Sequence, residues 1–302
     1  MIKIFPFIFI ILWSSAFITT KPLIDNSDPF SALAFRFSIV AVGFFIFSII
    51  SKNKILVKKK FFFESFFSGV LFHGLYLGGV FFAVSQGMPT AIAALIVTLQ
   101  PILTNALSGP ILDEKVSFNQ WLGVMLGFVG AAMVLGIDVG DGIPLTGFIA
   151  TVISLIAITT STIWQKKLSN NLPLSVSNFY QAVGGLSFHL LVIIFFIDPY
   201  INFTKTFIIA MSHQIFLVSF GAFTILMYLI KKNSASKTVS IFFLIPPTSA
   251  LMAWVFLNEK LNTLDIVSDN PKKTRLICSR SYGESFYHSI TDASLEYGYI
   301  AI

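Results

Sequence analysis

Charge is scarce in this sequence. Only 11% of its 302 residues are Asp, Glu, Lys or Arg, against about a quarter in soluble globular domains. With 55% hydrophobic residues and 34 Phe, the chain cannot cover itself with polar surface, so its solvent is lipid. A single cysteine, Cys278, excludes a disulfide framework and a cysteine-based metal site. Acids are missing from the middle of every long apolar run, and no HExxH, GxSxG or P-loop occurs. Catalysis needs converging acids, bases or metal ligands, so a membrane-embedded enzyme or lipid-handling protein is only the alternative reading. The same absence weakens a proton relay built on a buried carboxylate. No cofactor and no metal are implied. The net charge of +6 does not point to nucleic acid, because the lysines sit between apolar runs rather than on one soluble face.

What is present is a series of hydrophobic runs. About 20 apolar residues cross a bilayer core, and by that rule nine spans lie at roughly 4–20, 30–50, 66–86, 91–112, 118–136, 145–165, 176–197, 212–230 and 238–257. The first run resembles a signal peptide only as far as Ser15. It continues through Phe17 and Ile18 and reads as an uncleaved span. A β-barrel would alternate instead. With the N-terminus in the cytoplasm, Lys3, Lys52, Lys54, Lys58, Lys59, Lys60, Lys115, Lys166, Lys167, Lys231, Lys232 and Lys237 fall inside, and only Lys21, Lys205 and Lys260 fall outside. That bias favours this orientation in the cell inner membrane.

One segment occurs twice. Pro101, Glu114 and Lys115 correspond to Pro246, Glu259 and Lys260, each at an offset of 145 residues. A constant offset near half the chain marks an internal duplication. Pro29 before the second span and Pro173 before the seventh echo it at 144. Five spans separate the copies, an odd number, so the two halves are expected to be inverted in the membrane. Such repeats build many secondary transporters, with a site at their seam.

Several stretches then resemble one family: Trp13-Ser14-Ser15-Ala16-Phe17, Phe35-Arg36-Phe37, Pro101 through Lys115, Gly123 through Gly130, and Pro246 through Leu261. Together they resemble the EamA-type permeases of the drug/metabolite transporter superfamily over about residues 1–267. The resemblance implies an all-α polytopic protein of two inverted five-helix repeats, 1–140 and 141–267, with both termini cytoplasmic. It implies alternating access for a small metabolite, such as an amino acid or related compound. Its expected partners are that solute and the lipid bilayer, with a homodimer left open. The pattern breaks at the end. Residues 268–302 carry Asp269, Lys272, Lys273, Arg275, Arg280 and Glu284, with no spanning run where a tenth helix is expected. Two readings of that abrupt change stay open: a frameshifted or mis-joined gene end, and with it a truncated permease copy expected not to transport, or a natural polar tail.

The candidate site residues follow from helical spacing. His73 and Tyr76, three apart, share a face of the third span, and the resemblance places that span in the cavity wall. Gln100, Thr104 and Ser108 form a polar stripe that must face protein or water. It serves either the solute or helix-to-helix bonding. Trp13 lies mid-span. Tyr180 and Gln181 replace the Arg36 region in the second half and are read as vestibule lining. Arg36, about 10 Å below the outer face, reads as gating or structural, with room to snorkel outward. Pro101, Pro246 and Pro247 read as kinks or hinges. Gly74/Gly78 and Gly123/Gly127 form GxxxG spacings for close packing.

Overall fold

In hydrocarbon every backbone N–H and C=O needs an internal partner, so long apolar runs become helices. The computed structural model describes residues 4–88, 90–135, 143–168 and 171–245, with 247, 248 and 252. Among them the only extended pairing is one isolated bridge between Ser27 and Ile201. The helices are α1 (Phe5–Ile24), α2 (Pro29–Ile50), α3 (Lys59–Ser85), α4 (Thr90–Val97), α5 (Gln100–Leu112), α6 (Phe118–Leu135), α7 (Leu145–Leu168), α8 (Leu174–Phe196), α9 (Lys205–Lys232) and the short α10 (Ala235–Val239), which runs on as a 3₁₀ turn, Ser240–Leu244. Seven segments among the described residues are long and apolar enough to cross a membrane. Of the nine runs expected, the fifth forms α6 and the ninth begins with α10. Pro246, Glu259 and residues 268–302 lie outside the described residues.

The bundle is apolar without and mixed within, its buried Phe and Leu interleaved with polar side chains. Ile50, Phe195 and Phe196 stand exposed, while Ser14, Thr104, Ser161, Gln181 and His189 are buried. That is the distribution lipid demands and water forbids.

The ends of α2 and α8 show that these two helices are antiparallel. At one end Asp28 caps α2, accepting from the N–H groups of Phe30 and Ser31, and its second oxygen accepts from Tyr200 N–H just beyond α8. At the other end Asn53, beyond α2, donates to Ser175 in the first turn of α8. Contacts then pair α1 with α9, α3 with α7 and α8, and α5 with α7 and α10. The turns beyond α2, α5, α7 and α9 gather at one end, the lysine-rich one. Lys166 there donates to the carbonyls of Ile230 and Asn233. Glu114 accepts from the N–H of Ala235 at 2.9 Å and caps α10 across the bundle, which gives this carboxylate more than the turn chemistry its position suggests.

Irregularities recur at the duplication's spacing. A π-helical stretch interrupts α3 at Val70–Leu77 and α9 at Gln214–Ala222, 144 to 145 residues apart. Pro101 falls in the first turn of α5, after the chain breaks at Thr98–Leu99. Its missing N–H is free there, so the expected kink is a break between two helices. In the second half the 3₁₀ turn Ser240–Leu244 occupies the equivalent place. Pro247 follows it and is exposed.

The tightest crossing joins α3 to α8. A Cβ on Gly69 would lie 2.0 Å from the Gln181 carbonyl oxygen, and one on Gly184 2.1 Å from that of Phe66. Gly74 fits against Phe188 and Gly127 against Phe243, whereas nothing lies within 4 Å of Gly123. One member of the second GxxxG pair therefore packs on nothing among the described residues. Gly69→Ala is expected to force α3 off α8, with a loss of about 2 kcal/mol or more, read as lower yield and melting temperature in detergent. Gly123→Ala should be neutral.

Candidate functional site

A cavity lies between α1, α2, α3 and α9. Its walls include Trp13, Thr20, Arg36, Phe72, His73, Tyr76, Val84, Gln214, Ser219 and Phe223. Thr20 and Val84 sit near the ends of α1 and α3, so the cavity occupies the half of the bundle nearer the lysine-poor end. Its water-accessible volume is about 60 Å³, room for a few waters. Toward the lysine-rich end it is closed by aromatic rings. Trp13 meets Phe9, Phe72 and Phe242 at centroid distances of 5.2, 6.2 and 5.7 Å, and Phe72 meets Phe223 at 5.2 Å.

Both π stretches face this cavity. Bonding from i to i+5 brings residues five apart toward one face, which is how Gln214 and Ser219 come to share a wall. Gln214 Nε2 donates to the Ala16 carbonyl and to Thr19 Oγ1, both at 2.9 Å. His213 adds contacts to Ser15 and Thr19. In α3 the His73 carbonyl accepts from His189 Nε2 at 3.0 Å. A carbonyl cannot donate, so Nε2 carries the hydrogen. Phe37 lies against both imidazoles, 4.5 Å from His73 and stacked 5.9 Å from His189. The two histidines, remote in sequence, thus meet around one ring.

Arg36 does not snorkel. It is buried, its Nε donates to Ser219 Oγ at 2.8 Å, and its Cζ lies 5.4 Å from the Phe37 centroid.

A second, much smaller cavity lies at the lysine-rich end between α7, α8 and α9. Gln165, Ser177, Gln181, Met227 and Ile230 line it. Gln165 Nε2 donates to Gln181 Oε1 at 2.9 Å and to Ser161 Oγ at 3.1 Å, and Gln181 donates on to Ser177. Gln181 stands 145 residues after Arg36, and Gln165 stands 145 after Thr20. The two cavities therefore share two positions related by the offset, and they lie toward opposite ends of the bundle.

Known proteins place this architecture. The sequence profile of the EamA-like transporter family matches residues 2–136 and 145–268. The chain belongs to that family. A crystal structure of 18% identity superposes with a TM-score of 0.69 over 98% of each chain, a likeness of fold alone. An uncharacterized transporter, YvbV, of Bacillus subtilis is 26% identical over 66% of this chain and 63% of its own length. A probable amino-acid metabolite efflux pump of Salmonella typhimurium is 22% identical over 54% of this chain and 53% of its own. An uncharacterized transporter of Buchnera aphidicola from Schizaphis graminum is 25% identical over 84% and 85%. The chain thus spans under two thirds of the Bacillus and Salmonella relatives that it matches.

Of the residues singled out from sequence, this EamA-family fold brings Trp13, Arg36, His73 and Tyr76 together. It does not bring Gln100, Thr104, Tyr180 or Gln181 to the same wall. Gln100 Nε2 donates to Thr162 on α7 at 3.0 Å, and Asn105 in the next turn bonds Ser236 on α10. The stripe on α5 thus holds helices together, although Gln100 Oε1, Thr104 Oγ1 and Asn105 Nδ2 have no partner among the described residues. Tyr180 donates to the Ile55 carbonyl at 2.7 Å, beside the lysine-bearing turn. Sequence reasoning missed Gln214, Ser219 and Phe223. Counting 145 residues on from His73 and Tyr76 leads to 218–221, so the duplication itself held the signal.

His189→Leu would remove the shorter of two side-chain bonds to the π stretch of α3 among the described residues, the other running from Ser154 Oγ to the Leu75 carbonyl at 3.4 Å. It is expected to cost about 1–2 kcal/mol, seen as a lower melting temperature and faster amide exchange around His73.

Proposed function

We propose that this protein is a secondary transporter that carries a small metabolite across the inner membrane by alternating access, its two halves being inverted repeats that rock about their seam. The carrying observation is the pair of corresponding cavities, one toward each end of the bundle and unequal in size. A protein that serves two sides in turn needs one vestibule open while its counterpart is shut. The cavity between α1, α2, α3 and α9 is the open one, on the outer side if the lysine-rich end is cytoplasmic. The Gln165–Gln181 pocket is the shut one.

Three further features support the inverted relation. Helices α2 and α8, which correspond by the offset, run antiparallel through hydrogen bonds at both ends. The pairing of α1 with α9 is matched by that of α7 with α3. Helices four and nine of the expected order are both interrupted before a proline, and discontinuous helices near the midplane are a transporter device. The printed name of the Salmonella relative supports an amino acid or a related compound as cargo. The outer cavity has room for a few waters only, so the solute enters as α1 and α3 part from α9.

Purified protein in liposomes, screened with labelled amino acids and nucleosides, tests the reading. Trp13→Ala, His73→Ala and Tyr76→Phe are expected to raise the apparent Michaelis constant several-fold. Gln100→Ala and Gln181→Ala should change the rate or the yield but leave that constant near its original value. No uptake or efflux of any solute would remove the transporter assignment. Equal effects from both groups would remove the cavity.

A further inference from the structure

Arg36 is a cation without a counter-anion. No carboxylate lies within salt-bridge reach of it among the described residues, and its one hydrogen bond, through Nε, goes to a neutral hydroxyl. Its two terminal nitrogens make no protein hydrogen bond and are not sealed off, because they open on the outer cavity. A charge held inside a membrane bundle is costly unless it is paired, and the face of Phe37 compensates only in part. Nor is the guanidinium drawn to the membrane surface, since it is turned inward onto Ser219 in the π stretch of α9. A charge kept buried, unpaired and open to a cavity is there to meet something that arrives.

The chemistry of the arrival follows from the wall. With Nε committed to Ser219, the free edge is Nη1 and Nη2, a fork that takes a carboxylate through two parallel N–H···O bonds. Among the described residues no lysine or second arginine lines the cavity, so one negative charge is neutralised there and a dianionic phosphate would keep an excess. Among the same residues no Asp or Glu lines it either, so an ammonium group finds no ionic partner in them. Trp13, Phe72, Val218 and Phe223 make up an apolar remainder.

We propose that the Arg36 guanidinium is the carboxylate-binding group of the outer cavity, and that the solute bound there is a small monocarboxylate with an apolar body and a net charge of minus one. The proposal rests on the transporter reading for the use of the cavity, but binding is measurable without transport.

The test uses the full chain in detergent with three probes that share an isobutyl group: 4-methyl-2-oxopentanoate, leucine and isoamylamine. The oxo acid is expected to raise the melting temperature saturably, leucine to do so more weakly, and the amine not at all. Arg36→Gln should weaken oxo-acid binding at least tenfold. Without ligand it should melt no lower than the original protein, because relief of a buried charge that has no counter-anion among the described residues offsets the lost Ser219 bond and Phe37 contact. Ser219→Ala, which leaves the charge but frees its orientation, should weaken binding a few-fold. The proposal is overturned if the oxo acid does not bind, if the amine binds as well as the acid, if Arg36→Gln binds the acid undiminished, or if that variant fails to fold. Liposome transport separates the two readings. Transport of uncharged solutes that ignores Arg36→Gln sinks this proposal and keeps the transporter. Oxo-acid binding with no transport of any solute does the reverse.

Discussion

Hydrocarbon solvates no polar atom, and the rest of this structure depends on that fact. A soluble protein keeps its large apolar side chains mostly inside; this one also shows Phe195, Phe196 and Ile50 at its surface and hides Ser, Thr, Gln and His beside its buried Phe and Leu. Apolar burial gives helices in lipid little reason to associate, so they are held by close backbone approach and by hydrogen bonds between spans. Both occur where α3 meets its neighbours. Gly69 and Gly184 bring α3 and α8 together almost backbone to backbone, and Ser68, Ser161, Gln165 and Gln181 link α3, α7 and α8 in one chain of bonds. Each such bond is worth about 0.6–2 kcal/mol, small enough to be exchanged as helices shift. A bundle assembled this way is firm in sum and yielding in its parts.

The π stretches show how the same constraint shapes the cavity. A helix that departs from α geometry in lipid must re-satisfy the groups it frees. The stretch in α3 is bonded by His189 through the His73 carbonyl, and the one in α9 is bound to α1 through Gln214 at its first residue. The interruptions are thus tied to other helices, and both turn polar side chains toward one space. Stretches of this kind are frequent at functional sites. Their recurrence near 145 residues argues that the first ancestral half already carried one.

The fold was legible because its signals were long-range in sequence and strong in kind. Runs of apolar residues, lysine asymmetry, and the pair of Pro101 and Pro246 each needed no contact to be seen. The site was legible only where helical spacing held. His73 and Tyr76 three apart on α3 were found, whereas Gln214 and Ser219, five apart, look like opposite faces until the π geometry is known. The Gln100 stripe was correctly read as buried, but burial does not say against what, and the neighbour proved to be Thr162. The meeting of His189 with His73 has no sequence signal, because 116 residues separate them. Arg36 was seen to be costly, and only its side-chain direction separates a snorkelling residue from one aimed inward.

The two cavities carry the argument one step further. If Arg36 and Gln181 hold corresponding positions, the halves that once were alike have diverged at the place where each would meet a solute. The outer one keeps a charge; the inner one keeps an amide already engaged with Gln165. A solute bound through a charge on one side and an amide on the other would be held unequally as the molecule changes face. An amide pair satisfied by itself also keeps the inner pocket shut without ligand, since opening it breaks the 2.9 Å bond between Gln165 and Gln181. The unpartnered Arg36 has the opposite property, because its wall is at its least stable when empty. Under the proposed alternating access, this asymmetry between two positions 145 residues apart would set which side waits open, with Arg36 toward the lysine-poor end.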